Sequence, residues 1–305
     1  MISESLNLEI WDRFFQKIPL DGLPLAIKEG RLDLRGLSLP EPDIIRRYKF
    51  ADNAVTEITP AAVLQNVKWH NLDFTGSKLK GMRFFDGEVK NCRFDKCDLE
   101  GLRVWTTNFV DCSFKGANLK NSALGGVKDG KRNTYTGIDF SEADLRGTGY
   151  KATAFERCQF CNAKLVKIDF QSSTFVDCRF EGELSDVLFY NRGFEGEGFP
   201  LNEMVNVDFS MAKLHDVAFR CLVLDRVQFP NDEDHILIRN FTATLDKVIA
   251  ILQQQNDPVS KKLIAILNID RKWLLPNRSQ GVINARDLEE VVGVDGVRRL
   301  RQLLS

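Results

Sequence analysis

The feature that most restricts this chain is a comb of apolar residues with a period of five. From Phe74 the steps land on Leu79, Phe84, Val89, Phe94, Leu99, Val104, Phe109, Phe114, Leu119 and Leu124, and the comb reaches back to Trp69 and Leu64. It resumes at Tyr135 and continues through Phe140, Leu145, Tyr150, Phe155, Phe160, Leu165, Phe170, Phe175 and Phe180. A third stretch holds Leu184, Phe189, Phe194, Phe199, Met204, Phe209, Leu214, Phe219, Leu224 and Phe229. None of these 31 positions from Phe74 onward is polar, which excludes accident. Seventeen of the 22 Phe lie on the comb, so the phenylalanine excess is an architectural count.

Two residues earlier runs a second comb of mostly small residues: Cys92, Cys97, Cys112, Ala117, Ser122, Ala143, Thr148, Thr153, Cys158, Ala163, Ser173, Cys178 and Ala212. A period of five matches neither the 3.6 of a helix nor the 2.0 of a flat strand. One large and one small inward residue in every five describe a chain that turns a corner every five residues.

Segments such as FKGANLKNSAL (Phe114 to Leu124) and FSEADLRGTGY (Phe140 to Tyr150) resemble the pentapeptide-repeat family, whose unit is A-(D/N)-L-X-X. The resemblance covers roughly residues 64–229 and implies a mainly β fold, a right-handed quadrilateral β-helix with four pentads per coil. Thirty-one pentads then make nearly eight coils, a rod about 37 Å tall at the spacing of hydrogen-bonded strands. The expected core includes Phe94, Phe109, Phe114, Phe140, Phe155, Phe160, Phe170, Phe175, Phe180, Phe209 and Phe219. Expected divisions are an N-terminal helical or irregular cap over 1–62, the β-helix over 63–230 and a C-terminal α-helical domain over 231–305.

Two breaks interrupt the comb. Between Leu124 and Tyr135 the step is 11, which expels GGVKDGKRNT as a surface loop bearing Lys128, Lys131 and Arg132. Between Phe180 and Leu184 the step is 4, a local distortion of a corner. The open ends of a stacked rod need covers. Trp11, Phe14, Phe15 and Ile18 share one helical face, Leu34 and Leu39 keep the comb's phase in an opening turn, and Thr59-Pro60 predicts a short helix to about Gln65. Beyond residue 232 the period becomes helical. Leu245, Val248, Ile249 and Leu252 form one face, and Asp257-Pro258 opens a helix with Leu263, Ile266 and Leu267, closed over Trp273 to Pro276. A third helix runs from Asn284 to Gly293, and a fourth turns Val297, Leu300 and Leu304 inward, with Arg298, Arg299 and Arg301 elsewhere.

Motifs for chemistry are missing. Cys158 and Cys161 form a CxxC, but the register turns Cys158 inward and Cys161 outward, so they share no ligand. Five of the seven Cys read as small core residues. His70, His215 and His235 have no partner at metal or triad spacing, and Asp232-Glu233-Asp234-His235 reads as a solvated acidic turn. No catalytic, cofactor or metal residue is assigned, and no cofactor is expected. The absence of an apolar run of about 18 residues and of a leader segment predicts a cytoplasmic chain with no membrane partner.

These readings point to a non-enzymatic scaffold that binds a protein through its walls, the 125–134 loop or the C-terminal domain, with a homodimer through that domain. The expected contacts are Lys128, Lys131, Arg132, Arg298, Arg299 and Arg301. The family resemblance implies an alternative, since some members mimic B-form DNA and bind type II topoisomerase, protecting it from or inhibiting it against quinolone-like poisons. Mimicry needs an acidic rod, and residues 63–230 hold 23 basic and 23 acidic residues. A third reading is nucleic-acid binding by the terminal helices, whose net charge of +1 over 231–305 lacks a basic footprint.

Overall fold

The computed structural model describes residues 2–40, 46–49, 55–58, 62–191, 204–273 and 278–304. The comb residues form the interior of a β-helix. Parallel pairs join Lys78 to Asp98, Arg83 to Arg103, Glu88 to Asn108 and Arg93 to Ser113, so each coil advances 20 residues and carries four ladders. Sharp corners separate walls only about three residues long. Asn66, Asp86 and Thr106 stack at one corner and Asn71, Asn91 and Asp111 at another, all with positive φ. Asn and Asp reach that left-handed conformation most easily among residues that bear a Cβ, which is why they recur there.

Inside, the large comb makes columns of rings. Phe74, Phe94, Phe114, Phe140, Phe160, Phe180 and Phe209 stack in succession with centroids 4.6–5.4 Å apart. The spacing follows the separation of strands in a ladder, so backbone pairing and ring stacking share one repeat. All eleven expected core Phe are buried. The small comb does more than save space. The Sγ of Cys97 donates to the Phe74 carbonyl (2.8 Å), that of Cys158 to Tyr135 (3.2 Å) and that of Cys112 to Val89 (3.4 Å). Each thus donates to a carbonyl of the coil beneath.

The surplus after Leu124 is a small hairpin, Val127–Lys128 paired antiparallel with Lys131–Arg132. The ladder resumes as Phe109 to Tyr135, a step of 26 rather than 20, which accounts for the six extra residues. A second surplus escapes the comb because it measures two whole pentads. Phe189 pairs with Phe219 and Val176 with Val205, steps of 30 and 29, so the wall passes from Phe189 to Met204. Phe194 and Phe199 lie outside the described residues, and the uninterrupted third comb is corrected, because the ladders on either side of them advance by 29 or 30 residues instead of 20.

At the N-terminal end, α1 (Glu4–Gln16) starts at Ser3, whose side chain accepts from Leu6 N. Its buried stripe is Ile10, Trp11 and Phe14; Phe15 and Ile18, expected inside, are each 45% exposed. Phe14 packs against Trp69 with tilted rings (centroids 4.6 Å apart), and Trp11 Nε1 donates to the Ser38 carbonyl (2.7 Å). Residues 31–39 form the opening turn and pair directly with 71–79, Leu32 to Leu72 and Ser38 to Lys78. The helix expected to end near Gln65 is a strand there, Val63–Gln65 paired with Arg83–Phe85; Thr59 and Pro60 lie outside the described residues. Arg46–Lys49 and Val55–Ile58 pair antiparallel.

The C-terminal segment holds α2 (Phe241–Gln255), α3 (Pro258–Lys272) and α4 (Ala285–Leu304). Asp257 caps α3 as expected, accepting from Val259 N and Ser260 N, and Gly293 (φ 74°) breaks α4 into the two expected helices. Leu245, Val248, Leu252, Leu263, Leu267, Leu288 and Leu300 form a core separate from that of the rod. A purely helical reading missed one element: His235–Arg239 and Gln280–Asn284 form an antiparallel ribbon between the helices and the last coil. Pro276 lies outside the described residues.

Candidate functional site

No group of three or more His, Cys, Asp or Glu side chains is arranged to hold a metal ion among the described residues. The candidate sites are surfaces. Their geometry shows which expected contact residues are available to a partner.

The hairpin does not project freely. Lys128 Nζ lies 3.6 Å from Asp86, at a corner two coils back, and Asn133 at the hairpin's base is buried. The Asn133 amide donates to the carbonyls of Val104 (2.8 Å) and Leu124 (2.9 Å), while its oxygen accepts from Thr107 N. Gly125 sits against the next coil, where an added Cβ would lie 2.4 Å from Lys151 N. A rigid base therefore carries an exposed tip, Lys128 to Lys131, while Arg132 is half-buried and its charge is disfavoured by burial.

The terminal arginines serve the chain's own contacts. Arg299 Nη1 donates to Asp257 (2.6 Å) and Ser260 (2.9 Å), tying α4 to the start of α3. Arg301 donates to the Glu233 carbonyl, and Arg298 pairs with Asp295 three residues back (2.8 Å). Arg298 and Arg301 are exposed, whereas Arg299 is half-buried. The structure does not bring these three into one patch with the hairpin lysines through any contact between them.

The most elaborate polar arrangement is the seam over the last coil. Three side chains from one short stretch reach carbonyls on successive walls. Asn284 donates to Leu214, Arg278 to Phe219 (3.0 Å), and Gln280 to Leu224 (2.6 Å) and Val227 (2.8 Å). Three of those four carbonyls belong to comb residues that no further coil can cover, so the side chains replace the missing strand. Burial pulls the Arg278 guanidinium down to about 10, although the Asp270 carboxylate opposes the shift; burial likewise raises Asp270. Arg278 also lies over the Phe241 ring at 4.7 Å.

His235 corrects the solvated-turn reading, since it is 4% exposed. Its Nε2 accepts from Leu214 N (3.1 Å), so the ring proton sits on Nδ1, facing Asp232 Oδ1 at 2.7 Å. Sequence reasoning missed the contacts of Arg278, Gln280, Asn284 and His235 with the last coil because nothing periodic marks them. The only available signal was the position of these residues outside the helices and beyond the last comb residue.

The thiols fall where the register places them. Cys92, Cys97, Cys112, Cys158 and Cys178 are buried and free, whereas Cys161 and Cys221 are partly exposed. No helix among the described residues is long and apolar enough to cross a membrane.

Residues 90–128 match the family model for pentapeptide repeats, in eight copies. A quinolone resistance pentapeptide repeat protein, QnrB96 of Scandinavium goeteborgense, is 26% identical over 124 residues, 34% of this chain and 58% of that protein. The match thus spans little more than half of that relative. Among solved structures, a trypsin-treated variant of QnrB1, a plasmid-mediated fluoroquinolone resistance protein, aligns at 19% identity over 54% of this chain and 73% of that one, with a TM-score of 0.31. A pentapeptide repeat protein from the Arabidopsis thaliana thylakoid lumen aligns at 18% identity over 36% and 68%, with a TM-score of 0.19.

Proposed function

For a chain that carries pentapeptide repeats, we propose the role of a non-enzymatic protein-binding scaffold: a capped, right-handed quadrilateral rod over 63–230, flanked by an N-terminal cap and the C-terminal helical domain of 231–305. The observation that carries this reading is the rigid mounting of an exposed basic tip. The Asn133 amide and the Lys128–Asp86 pair hold the 125–134 hairpin against the rod, so a partner meets Lys128 and Lys131 with little ordering cost. Arg132, Arg298, Arg299 and Arg301 complete the set, with Arg299 acting through the position of α4 rather than by direct contact. Self-association through the outer face of the helical domain, where Ile269, Val291 and Val294 are exposed, provides the homodimer. The protein acts in the cytoplasm.

The test is capture of partners from the native host by the full chain and by a Lys128→Glu/Lys131→Glu variant. Loss of a specific partner in the variant is the expected result; an identical set of captured proteins rejects the hairpin as the contact. A second reading, binding of a type II topoisomerase, is favoured by the 26% identity to a quinolone resistance protein. The balanced charge of the rod opposes mimicry of DNA. Supercoiling by gyrase, assayed with and without a quinolone, decides it: no effect of micromolar protein removes this reading.

A further inference from the structure

The two ends of the rod are not closed alike. At the last coil, Asn284, Arg278 and Gln280 occupy carbonyls on three walls. At the first, residues 31–39 pair with 71–79 on two walls, and among the described residues no strand covers the other two. Lys68–His70 is the edge strand of a six-stranded ladder. Its register with Glu88–Lys90, and the bonds from Glu88 N to Val67 O and from Asn71 N to Lys90 O, show which side faces the coil beneath. Residues 67, 69 and 71 bond toward that coil. Backbone groups alternate along a strand, so the amides and carbonyls of Lys68 and His70 point the other way.

What they face is a cleft of about 710 Å³. Its far side is the end of α1 and the turn after it, including Lys17, Ile18 and Leu20, and the 27–32 hairpin closes one flank with Ile27 and Gly30. Apolar exposure concentrates at this end: Leu8, Phe15, Ile18, Ile27 and Val63 are half of the ten exposed large apolar residues described. Lys17 and Lys68 make no ion pair among the described residues, while Asp21 is the one carboxylate in the lining. Arg13 is already engaged with Glu9 and the carbonyls of Pro19 and Asp21.

We infer that this cleft binds an extended acidic-apolar peptide of a partner protein, which adds as a strand to the Lys68–His70 edge. Main-chain bonds supply affinity, Ile18 and Ile27 receive alternate apolar side chains, and Lys17 and Lys68 select carboxylates.

The experiment uses the full chain and a fluorescein-labelled heptapeptide alternating valine with aspartate, read by anisotropy. The inference predicts saturable binding, weakened at least about tenfold when alternate amides of the peptide are N-methylated. His70→Pro removes an edge donor that no ladder bond uses, and it weakens binding by a similar factor while the melting curve is retained. Lys17→Glu with Lys68→Glu shifts preference to a valine-lysine peptide. No binding at about 1 mM peptide, or binding indifferent to N-methylation, overturns the inference. So does a concentration-dependent dimer abolished by His70→Pro, which would assign the edge to a second copy. If His70→Pro fails to fold, the N-methylated peptide alone decides.

Discussion

At the scale of residues, the small comb joins chemistry to architecture. Cys97 is buried and donates to the Phe74 carbonyl, and burial pushes its thiol up to about 12. The folded chain therefore holds this proton where an unfolded chain releases it. With the folded value raised, the thiol's contribution is fully present below the unfolded value near 9 and is lost as pH rises from there toward 12. The loss amounts to about 1.4 kcal/mol per pH unit. Cys97→Ala should flatten the alkaline limb of a stability-pH curve by about one proton; an unchanged slope would show the thiol already ionised in the fold. By the same logic, a thiol reagent at neutral pH should modify Cys161 and Cys221 in the native protein and reach the five buried thiols only on unfolding. The register made this division legible from sequence. The donor role of the thiols was not, because it depends on which carbonyl lies in the coil beneath.

At the scale of elements, the ring column and the seam fail differently. Phe160 stacks on Phe140 and Phe180 at 5.1 and 4.7 Å, so Phe160→Ala empties the centre of the rod. Its expected cost is about 3–5 kcal/mol in a denaturant titration followed by circular dichroism. Arg278→Met removes the donor to Phe219 and leaves that carbonyl facing an apolar stem. The rod should keep its own transition while the C-terminal segment loosens, seen as faster hydrogen exchange over 235–239 and 280–284. Exchange unchanged in those ribbons would show that Gln280 and Asn284 hold the seam without Arg278. The helices behind the seam were readable from Asp257-Pro258 and Gly293, because capping chemistry is local. The ribbon was not, because 235–239 finds its partner 41 or more residues later.

At the scale of the whole molecule, the rod is a stack in which each coil rests on its neighbours, so the ends decide solubility. Truncation after Pro230 removes the polar cap of Leu214, Phe219, Leu224 and Val227 while leaving the ring column intact. The truncated rod should keep its far-ultraviolet β spectrum yet associate end to end as concentration rises, measured by sedimentation velocity. A truncated rod that stays monomeric and fully soluble would mean that the terminal segment is not needed as a cap.

The division between sequence and tertiary structure follows from distance along the chain. A period of five, maintained through ring after ring, was enough to determine an inward face, a corner every pentad and an interior of stacked Phe, because each repeat states its own orientation. It also placed the 125–134 interruption, since that surplus broke the phase. A surplus of two pentads between Tyr190 and Met204 kept the phase, and only the pairing of Phe189 with Phe219 reveals it. The edge at Lys68–His70, uncovered among the described residues, the buried His235 and the internal use of Arg299 were decided by tertiary structure alone. Each depends on what a distant segment covers or leaves uncovered, and a repeating pattern carries no information about where the stack ends.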